Sequence, residues 1–161
     1  MPQLAILFFC LSLYTELSGQ DLESQLWQHR VLIVHSDSEH LTPHQNQLKE
    51  LKADTAALND RKIVVLEVID NQFRWLDYKN RYAQMDKLSP QLSGILSHKP
   101  IHEVILIGLD GGTKLRQNHL LTIAGLSDII DAMPMRRAEL RKRSKSHACL
   151  LYTSPSPRDR G

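Results

Sequence analysis

The chain has 161 residues, enough for one domain around one core, and carries 20 Lys and Arg against 18 Asp and Glu. Its two cysteines, Cys10 and Cys149, lie near the two ends, so the region between them supports no disulfide framework, no thiol catalysis and no cysteine-ligated zinc. The net charge of +2 hides an asymmetry: residues 1–135 hold 12 basic against 16 acidic side chains, a net of −4, and residues 136–161 hold 8 against 2, a net of +6.

Leu4 to Leu13 (LAILFFCLSL) is apolar but shorter than the roughly 20 residues a membrane-spanning helix needs. It reads as the core of a secretory signal peptide over residues 1–19, cleaved after Gly19. The segment before it has no Lys or Arg, which argues against a bacterial signal. Arg30 to Ser36 (RVLIVHS) is a β-branched apolar run, the mark of a strand covered on both faces. A helix is expected from Thr42 to Asn59, with Thr42 as N-cap, Pro43 in the first turn and Gln45 completing a capping box. Leu48, Leu51, Thr55 and Leu58 form its inner face, and Lys49, Glu50, Lys52 and Asp54 point away.

Lys62 to Ile69 is a second buried strand. Asp70 to Leu88 is polar, and the spacing of Trp75, Tyr78 and Tyr82 suggests a short amphipathic helix. Ser89-Pro90 starts another short helix, and Lys99-Pro100 ends it. His102 to Leu109 is the third strand, Asp110-Gly111-Gly112 a hairpin turn, and Thr113 to Gln117 an edge strand with one wet face. Thr122 caps a last helix whose stripe is Ile123, Leu126, Ile129, Ile130 and Met133, and Pro134 stops or kinks it. The order β-α-β-(α)-β-β-α predicts an α/β, thioredoxin-like domain: a central mixed sheet of about four strands with helices on both faces. The domain is placed at 20–135. A basic linker or tail follows at 136–148. Residues 149–161 (CLLYTSPSPRDRG) resemble a translated cloning-adapter sequence and are set apart as non-native.

Leu106 to Arg116 (LIGLDGGTKLR) followed by Ile130 to Arg136 (IDAMPMR) resembles the family of domain of unknown function 4174. The resemblance spans about Gln28 to Arg141 and departs from the usual pattern at Leu109, where lysine is common. It implies a thioredoxin-like or peroxiredoxin-like fold without a dependable cysteine pair. It also implies kinship with the domain found in sushi-repeat-containing proteins and in coiled-coil-domain-containing protein 80, which are extracellular and matrix-associated.

The thioredoxin-like site would fall just after the first strand, in Ser36 to Gln45 (SDSEHLTPHQ), which has no cysteine. His40 and His44 are four apart, but Pro43 starts the helix between them and no third ligand is placed, so no metal, cofactor or catalytic residue is assigned. Pairing of Ser36 or Ser38 with a histidine lacks the surroundings of a nucleophile. The plain reading of this stretch is a polar, exposed loop. The candidate ligand-binding residues are Arg136, Arg137, Arg141, Lys142, Arg143 and Lys145. In a secreted protein such a cluster suits sulfated glycosaminoglycans or matrix proteins. A processing site at Arg141-Lys142-Arg143 and a solvated linker are the other readings. The expectation is a secreted, non-enzymatic binding module without nucleic-acid partners or a membrane anchor. The alternatives are a divergent enzyme or stress protein using non-thiol groups, and a single-domain periplasmic protein.

Overall fold

The computed structural model describes residues 22–76, 84–96 and 100–151, with side chains through residue 145. The expected signal peptide, Tyr78, Tyr82 and residues 152–161 lie outside the described residues. At the centre is β1 (Arg30–Ser36), buried at all seven positions. It pairs in parallel with β2 (Ile63–Ile69), from Arg30 opposite Ile63 to Ser36 opposite Ile69. The crossover is carried by α1 (Thr42–Ala53) and α2 (Thr55–Asp60). On its other side β1 pairs antiparallel with β5 (His102–Ile107), which turns back into β6 (Thr113–Gln117). A parallel βαβ unit flanked by an antiparallel hairpin is the thioredoxin-like arrangement expected from the element order.

Among the described residues the sheet has six strands, not about four, because the stretch after β2 folds back as a second hairpin. Here β3 (Gln72–Leu76) folds back on β2, and β4 (Asp86–Lys87) extends the edge, giving the order β4-β3-β2-β1-β5-β6. Asp70 takes the left-handed conformation (φ 53°) that a tight hairpin needs. Trp75 therefore lies in a strand rather than on a helix. It shares a face with Phe73, two residues away, as the two-residue period of a strand requires.

Alternation along the strands builds two cores. Leu32, Val34, Val65, Val104 and Leu106 pack under Leu51 of α1, Leu58 of α2, and Leu126 and Ile130 of α4 (Ile123–Asp131). Val31, Ile33, Leu66, Val68, Ile105 and Ile107 pack under Leu92 of α3 (Pro90–Ile95) together with Leu22 and Phe73. Each fully buried Leu or Ile contributes about 1.5–3 kcal/mol.

Two of the expected helix starts hold. Ser89 Oγ accepts from the Leu92 N–H at 3.2 Å, and Thr122 Oγ1 from the Gly125 N–H at 3.1 Å. The third differs. Thr42 is already helical, Leu41 is the N-cap, and Gln45 reaches back to the Glu39 carbonyl instead of closing a capping box. The single helix expected to Asn59 is broken at Asp54, which leaves the helical region (φ −140°, ψ 77°) and caps α2 by accepting from the Ala57 N–H at 2.9 Å. Glu50, expected to face solvent, accepts from the Ile123 N–H at 3.0 Å.

The largest departure follows Pro134. That proline does not end the structured chain; it opens α5 (Pro134–Leu151), an 18-residue helix. Proline suits the first turn, where its missing N–H has no intrahelical role. The expected basic linker is thus helical throughout, and the helix continues through residues 149–151. No helix among the described residues is long and apolar enough to cross a membrane.

Candidate functional site

Topology brings Ser36, the last residue of β1, opposite His102, the first of β5, and sets His44 in the first turn of α1 above them. Glu67 stands in the middle of β2, 1% exposed among apolar neighbours. A carboxylate there needs partners, because an unpaired buried charge is far too costly. His44, also 1% exposed, meets it through Nε2, 2.7 Å from Oε1. Arg74, directly across on β3, donates from Nε to Oε2. Burial raises the Glu67 pKa, but the hydrogen bonds and charges of His44 and Arg74 outweigh it and hold the carboxyl below its ordinary value. An ionised carboxylate only accepts, so His44 Nε2 carries the proton.

Beside this pair, His102 meets His44 edge-on, with ring centroids 6.2 Å apart. His102 Nδ1 lies 3.0 Å from the His35 carbonyl and donates to it. Burial lowers the His102 pKa, the carbonyl contact opposes this, and the nearby His44 and His35 add to the lowering; the net shift is downward. The neutral ring leaves Nε2 as a bare acceptor. His44 Nδ1 and His102 Nε2 both lack a hydrogen-bond partner among the described residues. The cluster thus holds two buried imidazole nitrogens without partners among the described residues near the C-terminal end of β1.

The exposed loop expected here is therefore half right. His40 is 84% exposed on its side chain while His44 is buried, so the two do not share a metal. No group of three His, Cys, Asp or Glu among the described residues is placed to hold one. Ser36 donates its hydroxyl to the Ser38 carbonyl at 2.9 Å, and Ser38 Oγ accepts from the His40 N–H, so no serine–histidine nucleophile pair forms. Glu67 was the residue that sequence reasoning missed, although a lone acidic residue inside IVVLEVI is itself a signal that something pairs with it.

The six basic candidates separate. Arg136 turns inward, 1% exposed, and is corrected from a surface cation to a buried ion-pairing residue. Its Nε donates to Asp131 Oδ1 at 3.0 Å, its Nη1 to the Asp60 carbonyl at 2.9 Å and to Glu139 Oε2 at 3.3 Å, and its Nη2 to the Asp60 carboxylate. Burial lowers the Arg136 pKa, but Asp131, Asp60 and Glu139 outweigh it and leave it raised. Arg143 also bonds Asp60, whose pKa is lowered by Arg143 first and then by Arg136. Arg137, Arg141, Lys142 and Lys145 are exposed and make no ion pair among the described residues. Arg137, Arg141 and Lys145 follow one another at four-residue steps, so they form a stripe along one side of α5.

No curated protein matches the chain significantly. Among solved structures it is similar to a reduced 2-Cys peroxiredoxin of Plasmodium vivax, with 11% identity and a TM-score of 0.49 over 73% of this chain and 83% of that one. It is also similar to a chloroplastic thioredoxin z, with 19% identity and a TM-score of 0.47 over 71% of this chain and 88% of the other. A family profile described as Domain of unknown function (DUF4174) matches residues 21–139. That span contains the strand-end cluster, the glycine hairpin and the Asp131–Arg136 pair, and the chain belongs to the DUF4174 family.

Proposed function

We propose that the protein is a secreted, non-enzymatic binding module that lacks thiol redox chemistry and binds sulfated glycosaminoglycans through α5. The observation that carries this reading is the stripe Arg137, Arg141 and Lys145, joined by Lys142, exposed and outside the ion-pair network that holds Arg136 and Arg143. Cations without carboxylate partners among the described residues, repeated at about 6 Å intervals along a helix, suit a chain of sulfates. The apolar run Leu4 to Leu13 supports secretion, and the cysteine-free Ser36 to Gln45 stretch supports the lack of thiol chemistry.

Heparin-affinity chromatography tests the proposal. Replacing Arg137, Arg141, Lys142 and Lys145 with Ala should bring elution down to a much lower salt concentration, with the circular dichroism spectrum unchanged. Elution of this variant at the wild-type salt concentration would remove the proposal.

A second reading rests on His44, whose Nε2–H is held by Glu67 while the buried Nδ1 has no partner among the described residues, an arrangement that would serve a general base once the site opens to a substrate. Hydrolysis of p-nitrophenyl acetate above background and lost in His44→Gln would favour it. Equal rates in the two proteins would dismiss it.

A further inference from the structure

The two halves of the sequence fingerprint, LIGLDGGTKLR and IDAMPMR, meet in space around a cavity of about 270 Å³. We infer that this cavity binds a small amphipathic molecule, with an apolar body and a carbonyl or carboxylate oxygen at one end.

Leu109, Met133, Pro134 and Met135 supply apolar wall. Methionine side chains adapt to irregular apolar shapes, so this wall suits a flexible hydrocarbon better than a flat, rigid ring. A dry cavity of about 150 Å³ can hold benzene, so the larger space here takes a body of about ten non-hydrogen atoms.

The polar end is set by Arg30. It lines the cavity and is 1% exposed. Nη1 donates to the Arg61 carbonyl at 2.7 Å and Nη2 to Glu139 at 3.2 Å. Nε has no partner among the described residues. A buried guanidinium donor left unpaired is unfavourable; Nε is covered while the cavity is empty, so a small shift of the Arg30 side chain towards an acceptor oxygen in the cavity would give it a partner. Lys114 and Asp110 also line the cavity as an ion pair at 2.7 Å, so together they add no net charge and the preference for an acceptor rests on Arg30. Its side chain crosses Gly108 so closely that a Cβ there would sit 2.5 Å from Lys114 Cε. The glycine lets Lys114 lie along the wall. The first turn of α5 also borders the cavity through Pro134 and Met135, and the positive end of that helix favours an acceptor over a cation.

The experiment uses the full chain, ¹⁵N-labelled, titrated separately with octanoate, octanamide and octylamine. Octanoate or octanamide should shift the amide signals of Gly108, Leu109, Asp110 and Met135 saturably, and octylamine should bind at least roughly tenfold more weakly, the ratio expected for about 1.4 kcal/mol of lost donor pairing. Met135→Trp should abolish the shifts by filling the cavity; Met135 is 43% exposed, so the larger ring has room to be accommodated without unfolding the chain. Equal binding of all three probes, unchanged binding in Met135→Trp, or no saturable shift at any soluble concentration would each overturn the inference. If octanoate binds and octanamide does not, the site takes carboxylates; if both bind alike, it takes the carbonyl oxygen they share.

Discussion

The two ends of β1 carry buried charge in different ways. At its start Arg30, Arg61, Arg136 and Arg143 share Asp60, Asp131 and Glu139. At its end Glu67 is held between Arg74 and His44, with His102 beside them, and Glu103, opposite His35, is paired separately with Arg116. The first cluster is redundant. Its carboxylates are partly solvated, each has more than one cation, and arginine keeps its charge at any pH the fold would meet. It fastens α5 to the α2–β2 turn. The second cluster has no reserve: Glu67 is 1% exposed, and one of its two partners is a histidine. One end of the strand therefore tolerates loss of a group, while the other depends on each group and on its protonation.

Removing the Glu67 charge should therefore do the most damage. Glu67→Ala leaves His44 and Arg74 without their acceptor and should cost about 3–5 kcal/mol, as for other broken buried pairs. Urea unfolding would show it, and a loss under about 1 kcal/mol would mean that the cluster is not a tightly buried one. Arg136→Ala removes more hydrogen bonds but should cost less, about 2–3 kcal/mol. After its loss Asp131 keeps Arg61, Asp60 keeps Arg143, and Glu139 keeps Arg30. If Arg136→Ala proved worse than Glu67→Ala in the same urea series, the contrast between redundancy and dependence would be wrong. At the same end of the sheet, Gly111→Ala should cost about 1–2 kcal/mol, because Gly111 has φ 77° and a Cβ there would lie 2.7 Å from Leu26 Cδ2. Thermal unfolding of that variant measures how much the turn, rather than the charges, secures this end.

Much of the fold was legible because the strands announce themselves. RVLIVHS is β1 from its first residue to its last, and the hairpin at Asp110-Gly111-Gly112 follows from residues that accept positive φ. The β2–β3 hairpin was hidden, since Asp70 supplies the left-handed turn without a glycine, and aromatics at 73, 75, 78 and 82 fit two periods at once. The helix that Pro134 was expected to stop or kink does end before it, at Asp131; the helix that Pro134 itself opens was not legible, because proline also suits a first turn and local sequence does not say whether a new helix follows. The basic run looked uniform, yet helical periodicity turns Arg136 towards Asp60 and Asp131 and leaves Arg137 outside. The strand-end cluster was the least legible part. Glu67, His44 and His102 are joined only by the sheet register and the placement of α1, which sequence spacing does not express.

The smallest expected effect separates the two ends most cleanly, because it depends on pH alone. The His102 pKa is depressed below its ordinary value of 6.5, chiefly by burial. A group with a depressed folded pKa contributes stability above its unfolded pKa and loses it as pH falls towards the folded value, since the unfolded chain takes up the proton first. His102 should therefore begin to weaken the fold as pH drops below about 6.5. The depressed carboxyls follow the same sign, but their ordinary values are 4.5 for Glu67 and 3.8 for Asp60 and Asp131, so their loss waits for more acid. Between about pH 7.5 and 5.5 the contribution of these clusters should come from the histidine end alone. Urea midpoints across that window should fall in the wild type. They should fall by the same amount in Arg136→Ala, which touches only the arginine end. The fall should flatten in His102→Asn, whose amide can still donate to the His35 carbonyl but does not titrate. An unchanged slope in His102→Asn would move the pH sensitivity away from the cluster. A flattened slope in Arg136→Ala would show that the two ends of β1 are coupled rather than separate.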